Sequence, residues 1–217
     1  MCFSATASFL TAGVTGAVGI ASLARVGGPR EVPFATMPIF FAVQQSIEGL
    51  LWLDAPVAGG SVSPSLTLQF LIIAEVFWPV YAPIAVLLLE PSKRRRQIML
   101  LCLALGVVVG AHLLWSIMSQ PPDAIIVDGH ITYSTKYLHP NTVAVAFIVA
   151  TCLPIIVSSW RVVGALGGTI LVGYVVAYLL YRDAFVSVWC FFAAAASFVI
   201  LFHFVRSRRQ LFRTASS

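Results

Sequence analysis

Charge is scarce in this chain. Asp, Glu, Lys and Arg make up 10% of its 217 residues, against 59% hydrophobic, and the mean hydropathy is +0.95. That excludes an ordinary soluble domain, in which about a quarter of residues are charged. Acids are the rarer sign, 8 against 13 Lys and Arg. The basic excess does not mean nucleic acid, since no basic, aromatic-lined module is present. A basic surface beside anionic lipid headgroups accounts for it. A charged n-region is also missing ahead of the first apolar run, and Arg25 follows that run. It therefore reads as a retained helix whose start lies outside, not as a cleaved signal peptide. No hydrophobic signal precedes Cys2, so a lipoprotein acceptor is not expected there.

What the chain does have is long apolar runs. Seven stand out, over 5–24, 33–53, 66–89, 97–118, 140–160, 163–181 and 184–205. Each is about long enough to cross a ~30 Å hydrocarbon core as a helix. The first, third and fifth connections and the tail hold Arg25, Arg30, Lys93, Arg94, Arg95, Arg96, Arg161, Arg206, Arg208, Arg209 and Arg213, leaving Lys136 and Arg182 opposite. The positive-inside bias then places the N-terminus outside and the C-terminus in the cytoplasm. The expected fold is all-α: one seven-helix membrane domain over 1–206, with a basic cytoplasmic tail over 207–217. No repeat and no room for a second domain are visible.

Glycine and proline refine this picture. Gly13, Gly16 and Gly19 punctuate the first run, and Gly106/Gly110 and Gly164/Gly168 give small-xxx-small spacings. These let helices approach closely, within the bundle or between copies of the chain. Pro33 and Pro38 open the second run, while Pro79 and Pro83 should kink the third just past its midpoint. The longest connection, 119–139, carries Asp128-Gly129 between two β-prone stretches. That pattern predicts a β-hairpin resting over the outer mouth of the bundle.

Polar residues inside the runs are the functional candidates, because a charge in mid-bilayer costs about 3 kcal/mol on insertion scales. At ~1.5 Å per residue, Glu48 lies roughly 22 Å up the second run and Glu75 roughly 14 Å down the third. His112, Cys190, Trp189, Cys2, Gln44, Gln45 and the stripe Tyr174, Tyr178 and Tyr181 map to the same outer half. The inner half is nearly pure Leu, Val, Ile, Ala and Phe, with His203 at its end beside the basic tail. A transport path needs polar groups through the full thickness. An outward-opening pocket floored by apolar packing fits this distribution better.

Other readings stay open. Either acid can act protonated, as interhelical glue with a Gln or Tyr. His112 can be a packing histidine, and Trp52, Trp115 and Tyr181 an interfacial belt. Cys102 and Cys152 read as inert core. Cys2 and Cys190 are equally compatible with a disulfide, metal ligation or burial. Cys2, Glu48, Glu75, His112 and Cys190 supply ligand atoms for zinc or another transition metal, but no pair has a diagnostic spacing. With a metal, a bound water and a glutamate base would suit hydrolysis of a lipid-derived substrate.

Four stretches carry a resemblance. They are Met1-Cys2-Phe3-Ser4-Ala5-Thr6-Ala7-Ser8-Phe9, Gln44-Gln45…Glu48-Gly49-Leu50-Leu51-Trp52, Glu75…Trp78-Pro79-Val80-Tyr81 and Ser187-Val188-Trp189-Cys190-Phe191-Phe192-Ala193. Together they resemble a family of uncharacterised bacterial multi-pass membrane proteins, filed as a domain of unknown function. The resemblance implies the bacterial inner membrane and this helix count, and no activity. Microbial rhodopsins need a lysine in the last helix; none is present there, so retinal is not expected. Ceramidase and progestin-receptor-like hydrolases share the helix number, but their paired last-helix histidines are absent, since Val199 and Ser207 flank His203 at four residues.

The leading expectation is a sensor or binding protein with an outward-opening pocket for a small ligand or cation. Glu48, Glu75 and His112 would carry the pocket, with Gln44, Gln45, Tyr178 and Trp189 around it. A metal-dependent intramembrane hydrolase and a structural or accessory subunit are the alternatives. Membrane lipids are the expected partners, along with a second copy of the chain if the glycine faces are free.

Overall fold

Apolar runs this long can satisfy their backbone N–H and C=O groups away from water only by closing them within helices. The computed structural model, described for residues 4–54, 62–120, 122–127, 130–134, 138–180, 189, 194 and 196–207, is accordingly a helical bundle with one small sheet. Its helices are α1 (Ala5–Leu23), α2 (Val32–Asp54), α3 (Pro64–Leu89), α4 (Lys93–Ser119), α5 (Pro140–Ile156), α6 (Arg161–Leu180) and α7 (Ala196–Ser207). Trp189 and Ala194 are helical as well.

Among the described residues, α1, α3, α4 and α6 are long and apolar enough to cross a membrane. At 23 residues α2 has the length, but Gln44, Gln45 and Glu48 lower its hydropathy. The other two are apolar and shorter. Two boundaries differ notably from expectation: α5 ends at Ile156 instead of 160, and the other is at α4. It starts at Lys93, so the basic run forms its first turns instead of a loop.

Small residues set the helix contacts. Gly16 of α1 faces Ala42 of α2, Gly19 faces Ile39, and Gly49 receives the Phe9 ring. The α2–α3 seam is aromatic: Phe41 stacks on Trp78 at 4.1 Å, and Phe40, Phe77 and Tyr81 pack with ring centroids 4.6–4.9 Å apart. Tyr81 reaches across to donate to the Pro33 carbonyl at 3.0 Å and also bonds Thr36. Gly106 and Gly110 of α4 lie against carbonyls of α3. In α6, Gly164 and Gly167 lie against Ile155 and Ile156 of α5, whereas Gly168 faces open space. The expected Gly164/Gly168 pairing is therefore corrected to Gly164 and Gly167.

The two ends of the bundle differ in character. At one, strands β1 (Asp123–Val127) and β2 (His130–Ser134) pair antiparallel, Ala124 opposite Tyr133 and Ile126 opposite Ile131. Ala124 and Ile131 are buried while Ile125 is exposed, the alternation of a sheet with one covered face. Tyr133 stacks on Phe70 of α3 at 4.9 Å, and Val62 donates its N–H to Ala124 at 3.0 Å. The expected flap is thus present, seated on the start of α3; its Asp128-Gly129 turn lies outside the described residues.

The opposite end gathers Arg30, residues 93–96, Arg161 and Arg206. There Arg95 donates to the Val157 carbonyl at 2.7 Å and the Trp160 indole to the Leu89 carbonyl at 3.3 Å. His203 of α7 meets Phe34 and Trp160 edge-on.

Candidate functional site

The buried stripe of α2 runs Phe34, Met37, Phe41, Gln44, Glu48 and Leu51, the alternating three- and four-residue spacing of a helix packed on one side. Two of its six positions are polar. Gln44 and Glu48 are 0% exposed and Gln45 beside them 1%. A buried amide or carboxyl without partners is costly, and here partners are supplied. Gln45 Nε2 donates to Glu48 Oε2 at 3.0 Å. Gln44 Oε1 accepts from the Trp78 indole of α3 at 2.8 Å. That second bond ties the polar face of α2 to the helix carrying the other acid.

Glu75 is 7% exposed and lies in a π-helical segment of α3, Ile72–Phe77. A π turn admits one extra residue per turn and is frequent at functional sites. It lies just ahead of Pro79, which lacks an N–H and cannot donate back to an upstream carbonyl. The α register restarts at Trp78, placing Pro79 in a first turn, where a missing donor is tolerated. A π bulge thus lies directly ahead of Pro79 and Pro83, with an acid in it.

The Gln44–Trp78 bond gives a direct test. Gln44→Leu should destabilise by about 1–3 kcal/mol by leaving a buried indole N–H unpaired. Paired with Trp78→Phe, the loss should be well below the sum of the two single losses. Additive losses in thermal unfolding would mean that the two side chains do not interact.

A family of unknown function (DUF6629) has a model that matches residues 1–216. The chain belongs to this family. No curated protein and no solved structure matches it. For a DUF6629 protein, then, the chemistry rests on its own geometry.

That geometry brings some expected residues together. Trp189 is buried, edge-on to Tyr174 at 5.7 Å and to Phe147 at 5.5 Å, and its indole donates to the Ile170 carbonyl at 3.4 Å. Tyr174 stacks with Tyr178, which is more exposed. Below them Phe41, Trp78, Cys152 and Trp189 enclose an apolar cavity of about 20 Å³, room for no more than about one water. His112 is partly buried, and its Nε2 is enclosed without a hydrogen-bond partner. Its ring lies 6.4 Å from Trp115, which is exposed as a belt residue would be; the Trp52 indole N–H is instead buried and unpaired. Among the described residues no three His, Cys, Asp or Glu side chains converge as metal ligands would. Cys2, Cys190, Tyr181 and the tail from 208 lie outside the described residues.

One buried acid was not singled out from the sequence. Glu90, between α3 and α4, accepts from Ser92 N at 3.0 Å, Ser159 N at 2.8 Å, Ser158 Oγ at 3.3 Å and Ser159 Oγ. Burial alone would raise its carboxyl, but these four donors outweigh that and hold it below its ordinary value. It locks the 90–92 connection to the 157–160 connection. The only local signal was an acid one residue past an apolar run.

Proposed function

We propose that this is a seven-span protein of the bacterial inner membrane, N-terminus outside, that binds a small ligand or cation in a polar pocket opening outward. It would act as a sensor or binding protein. The observation that carries the reading is the fully buried set Gln44, Gln45 and Glu48 on α2, joined through Trp78 to a helix that carries Glu75 in a π bulge. Apolar helices do not need such a set for their own closure, and each polar member adds to the cost of insertion. The gathering of Arg30, residues 93–96, Arg161 and Arg206 at the end opposite the hairpin supports the orientation.

A second reading has its own support. The Gln44–Trp78 bond is what interhelical glue looks like, and it favours a structural role for Gln44 in particular.

The test is thermal unfolding of purified protein across pH and with Na⁺, K⁺, Mg²⁺, Ca²⁺ and Zn²⁺ in turn. A bound cation at about 100 times its Kd should stabilise by about 2.7 kcal/mol, and Glu48→Gln or Glu75→Gln should abolish that gain. Superimposable curves for wild type and both variants, at every pH and with every cation, would leave only glue.

A further inference from the structure

The basic end of the bundle holds a cavity of about 310 Å³, bounded by Ser159, Trp160, Arg161, His203, Arg206 and Ser207. Its size is at the lower end of small-molecule sites, which run about 300–1,000 Å³. One wall is the first turn of α6, whose opening N–H groups have no acceptor within the helix and whose dipole presents positive charge. The other wall is the last turns of α7.

Three side chains make this more than a helix terminus. Arg161 and Arg206 have no hydrogen-bond or ion-pair partner among the described residues. His203 is 5% exposed and lines the cavity, also without a hydrogen-bond partner among them. It touches only ring edges and faces, with centroids at 5.8 Å for Phe34, 5.3 Å for Trp160 and 5.3 Å for Phe204. A buried imidazole walled by aromatics can meet its hydrogen-bonding need only through something in the cavity.

Two acids lie close, and both are engaged elsewhere. Glu90 faces away into its ring of serine donors. Glu31 reaches His203 electrostatically but accepts from Gly27 N at 2.7 Å. Neither lines the cavity. Two guanidinium forks, the Ser207 hydroxyl and a helix start, with no carboxylate in the wall, select an anion with several oxygens. The indole of Trp160 and the spare volume leave room for an organic group attached to it.

We propose that this cavity is a phosphate site, holding the phosphate of an anionic phospholipid headgroup or of a free phosphate. Arg161 and Arg206 grip the oxygens, His203 donates from below, and Trp160 flanks the substituent. The site is separate from Glu48 and Glu75 and is independent of their role.

Calorimetric titration of the detergent-purified full chain tests it, with soluble short-chain phosphatidylglycerol and inorganic phosphate as separate probes. Wild type should bind at least one probe saturably at a single site. Arg161→Gln/Arg206→Gln, which keeps the side-chain stems, should weaken that binding at least about tenfold, and His203→Ala should weaken it too. Lys93→Ala/Arg94→Ala removes as much charge from the same end and should change affinity less than about twofold. Arginine-dependent binding of the lipid alone identifies a headgroup site, and arginine-dependent binding of inorganic phosphate identifies free phosphate as sufficient. Saturable binding of neither probe, equal binding by the Arg161/Arg206 variant at a wild-type unfolding midpoint, or an equal loss in Lys93→Ala/Arg94→Ala would overturn the proposal.

Discussion

Gly106→Ala is expected to destabilise the protein by about 3 kcal/mol or more, the upper range for overpacking a tight interior contact. The added Cβ would sit 1.8 Å from the Pro79 carbonyl oxygen and 2.7 Å from its carbon. Both are backbone atoms, so no rotamer change relieves the clash; α3 and α4 must separate. The closeness has a cause in α3 itself. Pro83 lacks an N–H, which deprives the Pro79 carbonyl of its helical donor four residues on. Gly106 brings α4 onto that freed oxygen, where a Cα–H can partly replace the lost bond. One turn further along, Gly110 repeats the approach more loosely, its Cβ position 3.1 Å from the Val76 carbonyl. Gly110→Ala should therefore cost less than Gly106→Ala. Gly168→Ala is the control: nothing lies within 4 Å of its Cβ position, so helix propensity alone should make it neutral or stabilising by up to about 1 kcal/mol. Unfolding midpoints in detergent give the ranking. A Gly106→Ala protein as stable as wild type would mean that the α3–α4 contact is not as close as described.

That contact also marks where the sequence is legible and where it is not. The Gly106/Gly110 spacing and the prolines of α3 were each visible alone. Their partnership was not, because a carbonyl orphaned by Pro83 leaves no mark on the residue that covers it. The apolar-polar stripe of α2 was readable from spacing, including the anomaly of Gln44, Gln45 and Glu48, since helical periodicity is a local property. The hairpin was readable for the same reason: Asp128-Gly129 and its β-prone flanks are adjacent in the chain. The π bulge around Glu75 was hidden, as one inserted residue changes the register of a helix without changing its hydropathy. Gln44 meeting Trp78, 34 residues away, and Glu90 meeting Ser159, 69 residues away, are tertiary facts. Nothing near Glu90 in the chain announces that four donors converge on it. The cavity at Arg161, His203 and Arg206 was hidden more simply: the positive-inside bias already accounted for its arginines, so they raised no question.

Glu90→Ala should cost about 2–3 kcal/mol at neutral pH, because it leaves Ser159 N, Ser92 N and two hydroxyls without their charged acceptor at a buried junction. Glu90→Gln keeps one acceptor oxygen and should cost about 1 kcal/mol, since bonds to a neutral acceptor are roughly half as strong. The same carboxylate carries a pH dependence whose sign is fixed. Its pKa is lower in the folded protein than in the unfolded chain, so protons favour the unfolded state. The stabilisation is complete above the ordinary carboxylate value of about 4.3. It fades as pH falls through that value and is gone below the depressed folded one. Wild type should therefore lose more stability than Glu90→Gln when acidified from about pH 6 to about pH 3, the two curves converging at the acid end. Proteolysis offers a local readout, because the lock joins two connections: acid or Glu90→Ala should expose the 90–92 and 157–160 segments to cleavage before the bundle unfolds. Parallel acid profiles for wild type and Glu90→Gln would show that the four bonds do not depend on the charge. The lock would then be held by Arg95 on Val157 and Trp160 on Leu89 instead.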